Sequence, residues 1–260
     1  MAGKVHLIGA GPGDPELLTL RALRLMQSAD VVVYDRLVSS AIMDLIPART
    51  RRISVGKASG FHSLPQDRIN ALLVDLARQG LTVARLKGGD PLIFGRGSEE
   101  AEVLRDAGIA YDYTPGITAA QGAASSTGVP LTHRGLASGV RYVTGHRAQD
   151  ATLTLDWGSL ADPDSTLVVY MGAANIADIA SNLIAHNLPG ATPVMALSHA
   201  TTPVERRLLS TLDRIGADVA DNPMDAPVLF VIGRVVSMYG QSALPLPADL
   251  TAPLRMAANG

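Results

Sequence analysis

Lys4-Val-His-Leu-Ile-Gly-Ala-Gly-Pro-Gly-Asp-Pro15 opens the chain with an apolar run that breaks into glycines, and Val31-Val-Val-Tyr-Asp35 is a second apolar run ending in a carboxylate. Between them, residues 15–29 repeat their apolar positions with a helical period. Strand, helix and strand in that order make a βαβ unit, whose two strands run parallel. Working outward, strands are predicted at 52–55, 82–87 and 111–114, separated by helices at 66–79 and 98–107. The first half therefore reads as a doubly wound parallel sheet. Residues 128–139, rich in Gly, Pro, Thr and Ser, interrupt the pattern. Strands then follow at 139–144, 165–171 and 193–197, with a helix at 175–187. Two more strands, at 206–210 and 228–236, flank a helix near 211–220, and the first alternates like a half-exposed antiparallel strand. The expected organisation is an N-terminal α/β domain over 1–134, a C-terminal α/β domain with a mixed sheet over 135–240, and an extended tail over 241–260.

Composition narrows the function. The chain has 260 residues, 47% hydrophobic and 18% charged, which is enough apolar material for two buried cores. A net charge of −2 without a long basic run argues against nucleic acid as a partner. No segment approaches the length of a membrane span, so a soluble, cytoplasmic protein is expected. The absence of cysteine excludes disulfides, thiolate zinc sites and a cysteine nucleophile. The six histidines, at 6, 62, 133, 146, 186 and 199, show no ligand spacing, and no metal is expected. Lysine occurs only at 4, 57 and 87, so nearly all the basic residues are arginine. That bias suits a ligand rich in carboxylates, and nucleotide composition produces it equally well.

Two glycine-rich loops follow predicted strands. In Gly9-Ala-Gly-Pro-Gly-Asp14 the sixth position of a dinucleotide fingerprint is an acid that repels phosphate, and Pro12 removes an N–H donor. A loop for a small ligand without phosphates, a plain tight turn and a dinucleotide loop all stay open on these residues. Gly88-Gly-Asp-Pro-Leu-Ile-Phe-Gly-Arg-Gly97 follows the strand at 82–87, where an open parallel sheet binds its ligands. Asp35 ends its strand on the same side and Lys57 follows the next strand, so both are candidates to face that crevice. Asp35 reads equally as the N-cap of a helix over 39–46, and Lys57 as a solvated loop lysine.

These loops, together with Val33-Tyr-Asp-Arg-Leu-Val38, Pro115-Gly-Ile-Thr-Ala119, Gly128-Val-Pro-Leu-Thr-His-Arg134, Thr144-Gly-His146 and Tyr170-Met-Gly172, resemble the tetrapyrrole methylase family over residues 4 to 238. The resemblance implies two α/β domains of the class III methyltransferase type, an active site in the cleft between them, and a homodimer. It implies S-adenosylmethionine as methyl donor, S-adenosylhomocysteine as product, and C-methylation of uroporphyrinogen III at two ring carbons to give precorrin-2. It also implies a free-standing methyltransferase, not one fused to a dehydrogenase and chelatase module. Carried over motif by motif, the cofactor residues are Pro12, Gly88, Gly89, Asp90, Ile93, Thr118, Ala119, Met171 and Ala200. The tetrapyrrole residues are Arg96, Glu99, Arg134, His146 and Met171. Asp35 and Lys57 match a proton acceptor and a proton donor, and Arg96 a further candidate base. Relatives acting on a later corrin intermediate remain the alternative. Methyl transfer from a sulfonium expels a neutral group, so alignment and proton handling are what the protein must supply.

Overall fold

The computed structural model describes residues 3–56, 64–146 and 153–240. Lys57, His62 and the tail at 241–260 lie outside the described residues.

The first sheet consists of β1 (Lys4–Gly9), β2 (Val31–Tyr34), β3 (Arg51–Ser54), β4 (Thr82–Lys87) and β5 (Ala110–Thr114), all parallel, in the order β3-β2-β4-β1-β5. β1 and β4 lie inside the sheet and are buried on both faces, which is why apolar residues occupy both faces of each. Helices α1 (Leu20–Ser28) and α2 (Ser40–Met43) cover one face through Ala22, Met26, Ile42 and Met43. Helices α3 (Gln66–Arg78) and α4 (Gly97–Asp106) cover the other through Leu73, Leu76, Ala101 and Leu104. The chain thus leaves β1 toward one face and β4 toward the other. That divergence opens a crevice beyond their carboxyl ends.

The second sheet is mixed, with the order β6-β7-β10-β8-β9. β6 (Gly139–Thr144) and β7 (Ser165–Tyr170) are parallel, whereas β8 (Pro193–Ser198), β9 (Arg206–Thr211) and β10 (Val228–Ile232) pair antiparallel. On one face lie α6 (Trp157–Leu160), α7 (Ile176–Ala185) and α8 (Ile215–Asp221). The opposite face packs against α5 (Ala119–Thr127), which comes straight from the last strand of the first sheet and buries Ala120 and Ala123. Two α/β units, parallel then mixed, are what the sequence predicts.

Four elements differ from expectation, one being the short α6, which the sequence does not predict. The predicted helix over 15–29 is split: Asp14 caps a 3-10 turn at Pro15–Leu17, and Thr19 caps α1 anew by accepting from Ala22 N at 3.1 Å. The strand predicted over 228–236 stops at Ile232, because Gly233 takes φ 146° and a 3-10 turn at Arg234–Met238 follows. Helix α5 was not expected. Its Ala, Gly and Ser side chains give no apolar stripe, and it is fixed by a capping box between Thr118 and Gln121.

Candidate active site

Three loops meet at the carboxyl end of the first sheet with no side chain between them. Gly11 N donates to Gly89 O at 3.1 Å and Gly89 N donates to Gly11 O at 2.7 Å, so the loops after β1 and β4 are zipped together. The loop after β5 closes on both. A Cβ on Gly116 would stand 2.2 Å from Gly89 O, and one on Gly9 would stand 2.4 Å from Gly116 N. Asp90 completes the clip, its Oδ1 accepting from Leu92 N at 2.7 Å and its Oδ2 from Gly116 N at 3.0 Å. Gly116→Ala must push backbone against backbone and is expected to lower stability by about 1–3 kcal/mol. Gly139→Ala, whose Cβ would meet Ser165 Oγ at an ordinary 3.5 Å, serves as the control. Equal melting temperatures for the two variants would show that this three-loop packing is not tight.

Gly89 has a φ of +70°, and a Cβ there would point into open space, its nearest atoms being Ala119 N and Thr118 Cα at 4.0 Å. The crevice is therefore lined by backbone on one side and by the first turn of α5 on the other. Pro12 borders it by packing on Gly122, where an added Cβ would stand 2.7 Å from its ring. The same Cβ would stand 3.2 Å from Thr201 Cγ2, which brings the 199–202 turn and buried Ala200 to the same place. Tyr170 closes the far wall: its hydroxyl accepts from Ala120 N at 3.2 Å, and its ring lies 5.0 Å from Phe94 and 5.6 Å from Tyr142. Burial holds the Tyr170 phenol above its ordinary pKa, so it stays protonated.

Ile93 is half-buried in the loop after β4 and donates its N–H to Asp90 O at 3.3 Å. Arg96 adopts φ 57° on that loop and grips Glu99 with two parallel bonds of 2.8 and 2.7 Å. The pairing raises the guanidinium pKa and lowers that of the carboxylate. This pairing holds the proton on Arg96 and so works against its use as a base. Its flanking glycines are required by the loop itself: Cβ atoms on Gly95 and Gly97 would lie 2.7 and 2.6 Å from Pro91 O. Met171, half exposed at φ 53°, follows β7, and His146 follows β6. These two share one end of the sheet, since Thr144 pairs with Tyr170 and Gly145 N donates to Tyr170 O at 2.7 Å. Arg134 is exposed on the turn closed by His133 and Ala137.

Asp35 does not cap α2. Ser39 does, accepting from Ile42 N at 3.3 Å while donating to Gly13 O at 2.6 Å. The Asp35 carboxylate instead accepts from Arg85 Nη2 at 2.7 Å and lies 3.8 Å from Lys87 Nζ. Arg85 and Lys87 both reach Glu100 Oε1, at 2.9 and 2.7 Å. Burial together with the Arg85 charge lowers the Lys87 pKa; burial also opposes the Arg85 charge, but Asp35 and Glu100 outweigh it and raise that pKa. Among the described residues no cluster of His, Cys, Asp or Glu could hold a metal ion, and no helix is long and apolar enough to cross a membrane.

A family model describing tetrapyrrole (corrin/porphyrin) methylases matches residues 4–216. The chain belongs to the tetrapyrrole methylase family. Among curated members, the uroporphyrinogen-III C-methyltransferase of Paracoccus denitrificans is 66% identical over 243 residues, covering 94% of this chain and 85% of that one. The siroheme synthase of Nitrosomonas europaea is 51% identical over 241 residues, which is 93% of this chain but only 50% of the relative. This methylase thus spans about half the length of the siroheme synthases it matches. A crystal structure of the Thermus thermophilus uroporphyrin-III C-methyltransferase with S-adenosyl homocysteine superposes with a TM-score of 0.78 at 40% identity, covering 91% of this chain and all of that one.

Several parts of this tetrapyrrole methylase's crevice escaped the sequence reading. Arg85, Lys87 and Glu100 drew no attention, although two cations at alternate positions of an otherwise apolar strand were a usable signal. Tyr170 was noticed only as a neighbour of Met171. Gly9 and Gly116 were seen as parts of motifs, but their mutual contact depends on strand order, which periodicity does not encode.

Proposed function

We propose that this methylase transfers methyl groups from S-adenosylmethionine to two ring carbons of uroporphyrinogen III, giving precorrin-2 and S-adenosylhomocysteine. What carries the proposal is the meeting of the Gly9, Gly89 and Gly116 loops with the first turn of α5 around one open crevice. The chain in which they meet is 66% identical to a uroporphyrinogen-III C-methyltransferase. The crevice fits the donor. It offers backbone close approach at Gly89 and a capped helix start at Thr118 and Ala119, and Pro12 and Asp14 make it unsuited to phosphate.

When bound, S-adenosylmethionine supplies the methyl as a sulfonium substituent whose departing thioether is neutral. In the proposal Pro12, Gly88, Gly89, Asp90, Ile93, Thr118, Ala119, Met171 and Ala200 hold the donor, Asp90 mainly by fixing the loops through both carboxylate oxygens. Arg96, Arg134 and His146 meet the carboxylates of the tetrapyrrole, Met171 packs on its apolar part, and Glu99 aims Arg96. Asp35, partly exposed at the end of β2, takes the proton that the methylated ring loses, and Lys57 is retained as donor. A homodimer and a cytoplasmic location complete the proposal.

Calorimetry with S-adenosylhomocysteine and a turnover assay with uroporphyrinogen III test it together. Binding without methylation of uroporphyrinogen III would keep the family and reject the substrate. Arg96→Lys keeps the charge and loses the fork, so S-adenosylhomocysteine affinity should hold while kcat/KM for uroporphyrinogen III falls about 10- to 100-fold, from a lost charge-assisted contact of roughly 1.5–3 kcal/mol. Wild-type kinetics in both Arg96→Lys and Arg96→Ala would make the Arg96–Glu99 pair a surface ion pair of no consequence.

A further inference from the structure

We propose that Lys87 and Glu100 are positioning residues that set the proton affinity of Asp35 by opposing one another beneath it. The inference rests on the proposal that Asp35 is the proton acceptor.

β4 turns Val83, Arg85 and Lys87 toward the face covered by α3 and α4, a face otherwise made of Val5, Leu7, Val31, Val33, Leu73 and Leu104. Placing two cations there is costly, because a buried ion pair seldom recovers its desolvation and an apolar substitute commonly does as well. Exposures of 1% for Arg85, 3% for Lys87 and 0% for Glu100 leave solvent almost no part in screening them. Stability therefore does not account for the cluster, and among its described carboxylates Asp35 is the one that reaches solvent, its side chain being 29% exposed where that of Glu100 is 0%.

The bonding is asymmetric. Glu100 Oε1 accepts from Arg85 Nε at 3.1 Å, Arg85 Nη2 at 2.9 Å, Lys87 Nζ at 2.7 Å and Gln66 Nε2 at 3.2 Å, while Glu100 Oε2 has no hydrogen-bond partner among the described residues. Asp35 shares the same two cations at 2.7 and 3.8 Å. Two cations face two carboxylates, so the set is neutral when Asp35 is ionised. Each partner pulls Asp35 in a known direction. Lys87 places an opposite charge 3.8 Å from the Asp35 carboxylate, whereas Glu100 adds like charge and engages both cations. Of the other titratable groups near the set, Tyr113 on β5 is influenced by Glu100, and the exposed Arg96–Glu99 pair at the start of α4 interacts with it at longer range, Arg96 with Glu100 and Glu99 with Lys87.

The test is the pH dependence of kcat/KM for uroporphyrinogen III, whose acid limb reports the free enzyme's base. Lys87→Met should move that limb up by about one pH unit and Glu100→Gln should move it down by about one. The charge-balanced double variant Lys87→Met with Glu100→Gln should return it to within roughly half a unit of wild type. A merely structural cluster would lower kcat and melting temperature in all three without moving the limb, and the double variant would be the worst of them. If one single variant does not fold, the other decides: a limb displaced in its stated direction supports the proposal and an unmoved one overturns it. Limbs that stay put, or move the same way in both single variants, overturn it as well. Asp35→Asn is run beside them. Should it abolish the limb while the other variants leave theirs in place, only the inference fails; should it keep wild-type turnover and limb, the assignment of Asp35 fails and takes the inference with it.

Discussion

Asp35→Asn is expected to lower turnover with uroporphyrinogen III by about 10²- to 10⁴-fold, the range of a lost general base, while S-adenosylhomocysteine binds as in wild type. The substitution is close to a pure removal of basicity. Asparagine's Oδ1 can still accept the Arg85 Nη2 hydrogen that Asp35 accepts at 2.7 Å, so the side chain keeps its place. No helix cap is lost, because α2 is capped by Ser39. Glu100 alone then faces both Arg85 and Lys87, so the folding cost should exceed that of one weakened hydrogen bond, at roughly 3–5 kcal/mol, and turnover is measured on the folded fraction. A variant that turns over within twofold of wild type would leave Asp35 with only its role as an Arg85 partner.

Gly89→Val is expected to weaken S-adenosylhomocysteine binding by about 10- to 100-fold, or roughly 1.4–2.8 kcal/mol. In the free protein the new Cβ meets nothing closer than 4.0 Å, so the loop need not move aside for it. The damage comes from two other sources. At φ +70° a β-branched residue is strained, which costs on the order of 1–3 kcal/mol of stability. Its methyl groups also stand in the space between the Gly89 backbone and Ala119 N that the proposal gives to the ligand. Calorimetry on the folded variant checks this, and unchanged affinity would remove the loop after β4 from the cofactor site. Gly116→Ala provides the contrast, since its clash with Gly89 O exists without any ligand and should appear in the melting curve first.

Much of this protein is written locally. Apolar residues on both faces of β1, β2 and β4 announce central parallel strands, even with Arg85 and Lys87 in β4, because strands covered on both faces need no polar side. The alternation at β9 announces an antiparallel edge. Glycine loops at strand ends locate the crevice, and Asp35 at the end of β2 falls beside it. The sequence pattern misjudged elements whose cause is not local periodicity: α5, held by its cap and by packing of small side chains on the second sheet, and the end of β10, set by the conformation of Gly233.

The sequence by itself determined which strands exist, that the first sheet is parallel and the second mixed, and which loops carry the glycines, since each follows from a side-chain period or a local backbone requirement. Only the tertiary structure decided which atoms those glycines make room for, that Ser39 and not Asp35 caps α2, and that Arg85, Lys87 and Glu100 gather beneath Asp35. Those are contacts between residues brought together by strand order and helix packing. A buried charge reveals its partner only once the fold has excluded water from around both.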